Sequence, residues 1–131
     1  MEDEEEKPLF WVASCKKDLM AFPADVQDVM GYALDLAQRG GKHPDAKPLK
    51  GYKGSGVLEV VDDYDGDTYR GVYTVRFEGA VYALDAFQKK STKGIETAQV
   101  DLDRIKRRLK RADEMHAEWL KERNDNGKAK G

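Results

Sequence analysis

The stretch "VLEVVDDYDGDTYRGVYTVRFEGAVYALDAFQ", residues 57–88, decides how this chain folds. Three runs rich in Val, Tyr, Leu and Phe are separated by Asp65-Gly66 and Glu78-Gly79, pairs that suit two-residue hairpin turns. The runs 57–63, 68–77 and 80–88 therefore read as an antiparallel meander. The turns also set the register. With Asp65-Gly66 as a loop, Val61 lies beside Arg70 and Glu59 beside Val72. With Glu78-Gly79 as the next, Tyr73 faces Leu84 and Val75 faces Tyr82 on one apolar face. Arg70 then faces Phe87, Val72 faces Asp85 and Arg76 faces Val81 on the other. The first face is expected to lid a core. The second is expected to gather Glu59, Arg70, Arg76 and Asp85 on a solvated surface.

Outward from this meander the elements follow in order. "LFWV" (9–12) is a short strand for a sheet edge, giving about four strands in all. Ser14 is a candidate N-cap for "SCKKDLMAF" (14–22), and Pro23 suits the first turn of a second helix. In that helix Val26, Met30, Ala33 and Ala37 form one stripe, and Gly40 is a natural C-cap. Together they make a helical hairpin covering one face of the sheet. Residues 40–56, with five glycines and two prolines, read as a long polar loop, a length that marks function or disorder. A last helix is expected over Ile95–Trp119, with Ile95, Ala98, Leu102, Ile105, Leu109, Ala112 and Trp119 on one side. His116 fills the gap in that stripe and reads as a packed histidine.

Composition narrows the class. At 131 residues and 40% hydrophobic content, one domain is expected over 8–120, between an acidic disordered tail (1–7) and a polar disordered tail (121–131). No apolar run approaches a membrane span, and the acidic start is the reverse of a secretion signal, so a cytoplasmic location is expected. One cysteine and two histidines argue against a disulfide or a zinc site, and no cofactor is expected. The net charge of -2 conceals "RIKRRLKR" (104–111), with six basic side chains in eight.

Four stretches in order, "KPLKGYKGSGVLEVVDD", "YRGVYTVRF", "YALDAFQKKSTKGIET" and "DLDRIKRRL", resemble the RelE/ParE superfamily of type II toxins. The resemblance is to its phage-derived HigB-like branch, which carries Leu-Lys-Gly before the second strand, Tyr-Arg in the third and Phe-x-Lys-Lys ending the fourth. It implies an α+β RelE-like fold and a metal-independent endoribonuclease, an mRNA interferase, acting on mRNA and in many relatives on the ribosome. A HigA-like antitoxin with a helix-turn-helix domain is the implied partner. Such cleavage needs a 2′-hydroxyl activated, the phosphate's growing charge stabilised and the 5′-oxygen protonated. Guanidinium and ammonium groups can supply the charge stabilisation. On this reading Arg70, Asp85, Lys89 and Glu59 are the candidate catalytic residues, Arg70 as phosphate clamp and Asp85 or Glu59 as proton carrier. Lys50, Arg76, Lys90, Lys93, Arg107 and Arg108 are the candidate substrate contacts. Where many relatives carry Lys or Arg on the second strand this chain has Glu59 and Val61, and where the branch often has His it has Asp85. The same scaffold also serves gyrase-directed toxins, and a non-catalytic phage-derived module is the third possibility.

Overall fold

Asp65 and Gly66 both adopt left-handed backbone, at φ +52° and +86°, the signature of a type I′ turn whose twist matches the strands it joins. They link β3 (Val57–Tyr64) to β4 (Asp67–Thr74), and every pair from Val57↔Thr74 to Tyr64↔Asp67 keeps the expected register. The computed structural model describes residues 6–89 and 97–130, the last five of these as backbone alone. Its other elements are β1 (Leu9–Trp11), α1 (Cys15–Met20), α2 (Ala24–Gln38), β2 (Lys47–Pro48), β5 (Val81–Lys89) and α3 (Gln99–Lys130). This is an α+β chain with one five-stranded mixed sheet, ordered β1-β5-β4-β3-β2. Only β1 runs parallel to its neighbour, pairing Leu9–Trp11 with Val81–Ala83. The fifth strand, β2, comes from the 40–56 loop, which is pinned by buried Ala46 and Leu49 and by His43 packed against Tyr32.

The β4–β5 pairing departs from the expected register halfway along. Arg70↔Phe87 and Val72↔Asp85 form as expected, but Tyr73 then pairs with Ala83 and Thr74 with Tyr82. Leu84 is the extra residue of a β-bulge. Adjacent residues of a regular strand point to opposite faces, whereas a bulge can turn two neighbours the same way. Here Leu84 packs among Val72, Ile105 and Leu109, and Asp85 bonds to arginines of the same helix. Tyr82 joins Leu84 on that face, and Val81 and Ala83 turn to the other. Arg76 lies beyond the end of β4, exposed, so its expected pairing with Val81 does not form.

Both faces of the sheet are covered. The α1–α2 hairpin buries Val26, Met30, Ala33 and Ala37 against Val60, Tyr73 and Ala83. On the opposite face α3 buries Ile105, Leu109 and Ala112 against Val57, Tyr82 and Leu84. The expected solvated face is therefore an interior one. Its apolar half was hidden from the sequence because the bulge moves Tyr82 and Leu84 there.

Helix ends mostly follow local chemistry. α2 stops in a Schellman arrangement, with Gly40 (φ +86°) donating to the Ala37 carbonyl and Gly41 to that of Leu36. Ser14 does not cap α1 through its side chain; its hydroxyl donates to Asp18 Oδ2 at 2.7 Å instead. His116 is packed as expected, 6% exposed, with Nδ1 3.0 Å from the Tyr82 hydroxyl. α3 runs past Trp119 to Lys130, through most of the 121–131 segment expected to be disordered, and the Arg123 guanidinium lies 4.7 Å over the Trp119 ring. Ile95 and the tail residues 1–5 lie outside the described residues.

Candidate functional site

Arg70 sits in the middle of β4, with β3 and β5 on either side, and is 3% exposed. Its Nη1 donates to Glu59 Oε2 at 2.6 Å and approaches Thr97 Oγ1 at 3.3 Å. Glu59 and Arg70 stand two residues apart along the paired strands, since Arg70 is opposite Val61, and that diagonal is within reach of long side chains. Thr97 is buried just before α3 and also donates to Glu59 Oε2, at 3.3 Å. Arg70, Glu59 and Thr97 thus tie the start of the last helix to the sheet centre. A phosphate at Arg70 would have to compete with Glu59.

Asp85 forms a second centre, 2% exposed at the bulge. Its Oδ1 accepts from its neighbour's backbone, Ala86 N, at 2.9 Å and from Arg108 Nη1 at 3.0 Å. Its Oδ2 accepts from Arg104 Nε at 2.7 Å. Arg104 also binds Asp101 at 2.8 Å, and its guanidinium lies 5.3 Å over the Phe87 ring. Burial pulls the Arg104 guanidinium downward, but its bonds to Asp101 and Asp85 outweigh this and hold it above its ordinary value. Arg108 continues the network to the Leu84 carbonyl and to Ser14 Oγ. To accept a proton from a ribose hydroxyl, Asp85 would first need one of these arginines to move aside.

The structure splits the basic helix into an inward and an exposed side. Arg104 and Arg108 turn inward to Asp85, whereas Lys106, Arg107, Lys110 and Arg111 are exposed. Of the expected substrate contacts, Arg107, Lys50 and Arg76 are exposed, while Arg108 is 14% exposed and serves the interior. Lys89 ends β5 opposite Thr68. Lys90 and Lys93 lie outside the described residues. Sequence reasoning missed Thr97 and Arg104. Arg104 was findable: with Arg108 it recurs at a spacing of four on the shoulder of the Ile105–Leu109 stripe, where a long side chain meets the sheet.

Buried nucleophilic groups are silent here. Desolvation chiefly, with Asp85 adding to it, pushes the Cys15 thiol up to about 12, which leaves it protonated and unreactive.

The stretch that builds both centres, from Glu59 to Arg108, lies inside a segment with a family match. The family described as phage derived protein Gp49-like (DUF891) matches residues 17–110. The chain belongs to this Gp49-like family. No curated protein and no solved structure matches it. Among the described residues of this Gp49-like chain, no helix is long and apolar enough to cross a membrane. What the arrangement offers chemically is a set of paired, partly buried arginines beside aromatic rings, with exposed cations outside them.

Proposed function

We propose that this chain is the toxin of a type II toxin–antitoxin pair, with a RelE-like fold of the HigB-like branch, and that it acts as an mRNA-cleaving endoribonuclease in the cytoplasm. The observation that carries the reading is the phage-derived Gp49-like match over 17–110, which contains all four of the stretches resembling those toxins. The sheet order supports it, since β3, β4 and β5 bring Glu59, Arg70, Asp85 and Lys89 onto adjacent strands. Cationic groups would carry the charge stabilisation, with Lys89 the candidate nearest the strand end and Arg107 on the exposed side of α3. Arg70 contributes as a clamp only if substrate binding draws Glu59 away. A HigA-like antitoxin would hold the toxin inactive.

A specific observation favours a second reading, a non-catalytic phage-derived module that acts through its partner. Both central charged residues are already matched, Arg70 by Glu59 and Asp85 by Arg104 and Arg108. Controlled expression in bacteria, followed by mapping of RNA 5′ ends, separates the two. Growth arrest with new, defined 5′ ends supports the ribonuclease. Arrest with intact RNA and broken DNA points to gyrase instead, and no arrest at full expression of folded protein refutes the toxin reading.

A further inference from the structure

An open cleft of about 520 Å³ lies where β1 stops short of the second half of β5. Its floor is β5 from Asp85 to Gln88, one wall is the α1–α2 corner at Phe22 and Pro23, and the other is α3 at Asp101, Arg104 and Arg108. That volume lies in the range of small-molecule sites and accommodates one nucleotide.

Two aromatic edges meet there. Phe22 and Tyr69 pack edge to face at 4.9 Å, and the Arg104 guanidinium carbon lies over the Phe87 ring, 5.3 Å from its centre. Arg104 commits Nε to Asp85 and Nη2 to Asp101, which fixes the plane of its guanidinium. The guanidinium keeps its contact with Phe87, and the side chain is still 27% exposed. A fixed, partly exposed guanidinium is a stacking surface for a flat ring. Gln88, exposed at the lip, offers an amide with both donors and an acceptor.

Charge decides what the ring is. The cleft holds three carboxylates, Asp18, Asp85 and Asp101, against two guanidiniums, Arg104 and Arg108. A free phosphate dianion would meet a net negative surface whose arginines are already paired. A neutral ring with a mixed donor and acceptor edge would not. We propose that this cleft is a subsite for one unpaired nucleobase of a single-stranded RNA, stacked on Arg104 and read by Gln88. The proposal rests on the ribonuclease reading for its ligand class, and it extends that reading to a place none of the expected site residues marked except Asp85 and Arg108.

The test is a two-dimensional amide NMR titration of the full chain. The probes are free nucleosides, ribose 5-phosphate, inorganic phosphate, and a 2′-O-methyl tetranucleotide with and without one abasic residue. Nucleosides are expected to shift the signals of Ala86, Phe87, Gln88 and Arg104 Nε, and ribose 5-phosphate and phosphate to leave them in place. Loss of the base is expected to weaken the tetranucleotide roughly ten-fold, and Gln88→Ala, an exposed change that leaves the fold intact, to weaken nucleoside binding. Cleft signals silent to nucleosides, with the tetranucleotide shifting only the exposed side of α3, would overturn the subsite and leave the RNA reading standing. Silence to every probe would overturn both. Nucleoside shifts in the cleft alongside unbroken cellular RNA would keep the subsite and remove the ribonuclease. A partner protein that shifts these signals when nucleosides do not would make the cleft a protein groove and end the proposal.

Discussion

Replacing Arg70 with Met removes the charge while retaining most of the side-chain volume in the sheet centre. Glu59, 14% exposed, then keeps its carboxylate without the 2.6 Å partner. Breaking a buried pair from one side costs about 3–5 kcal/mol. Partial exposure of Glu59 and the remaining bond from Thr97 reduce this, so about 2–3 kcal/mol is expected here. For a chain of this size that lowers Tm by about 10 °C. Replacing both partners, Arg70→Met with Glu59→Leu, removes the stranded charge and should recover most of the loss, since apolar replacement of a whole buried pair is near neutral. Thermal or urea unfolding of the parent, both single variants and the double variant closes the cycle. A single variant as stable as the parent, or a double variant no better than Arg70→Met, would refute the argument. Growth inhibition by the double variant then separates the roles. Toxicity that returns with stability makes Arg70 and Glu59 an architectural pair; toxicity that stays lost from a folded protein gives one of the two a part in the chemistry.

Three further outcomes are expected. Burial raises both Cys15 and Tyr73 to about 12, above their ordinary values of 9.0 and 10.0. Each contribution is therefore whole below about pH 9 and is lost as pH rises toward 12, so the urea midpoint should fall between pH 8 and pH 10.5; a flat profile would contradict it. Neutralising Arg107, Lys110 and Arg111 to Gln should remove roughly 0.7 per lost phosphate contact from the log–log salt slope of single-strand RNA binding, with melting unchanged; an unchanged slope makes this side of α3 merely solvated. Gly56→Ala should cost about 2 kcal/mol or more, because its backbone is left-handed (φ +80°) and a new Cβ would stand 2.9 Å from Arg76 Cβ; unchanged melting would refute this.

The elements were legible because their signals are local. Asp65-Gly66 dictates a turn, the turn dictates the β3–β4 register, and stripes of Val26 to Ala37 and Ile105 to Ala112 dictate which sides of α2 and α3 are buried. Half the β4–β5 register was legible for the same reason. The other half was not, because a bulge at Leu84 leaves the hydrophobic alternation of the sequence plausible in either register and is settled only by packing under α3. That single residue also governed the reading of the site. Arg70 and Asp85 were correctly grouped on one face, but the face looked solvated on paper because Tyr82 and Leu84 were assigned to the other. Once those two move across, the face needs a cover, and the charges on it become interior pairs. Beyond the candidate residues, the cleft is a meeting of three segments far apart in sequence, the 22–23 corner, 85–88 and 101–108, and no spacing rule links them.

The parallel pairing of β1 with β5 joins segments far apart in the chain. β3, β4 and β5 close through short turns and can zip locally, whereas β1 must find β5 across more than half the chain. Loop-closure entropy makes such a contact late to form and early to open. When β1 detaches, Val12 loses its bond to the Ala83 carbonyl and the start of α1 at Cys15 loses its support. The whole edge of β5 is then bare, from Val81 to Lys89. An otherwise protected thiol thereby becomes a clock for this opening: its rate of alkylation under native conditions reports how often the N-terminal strand peels away, and hence how long a sticky sheet edge is offered to neighbouring molecules in a crowded solution.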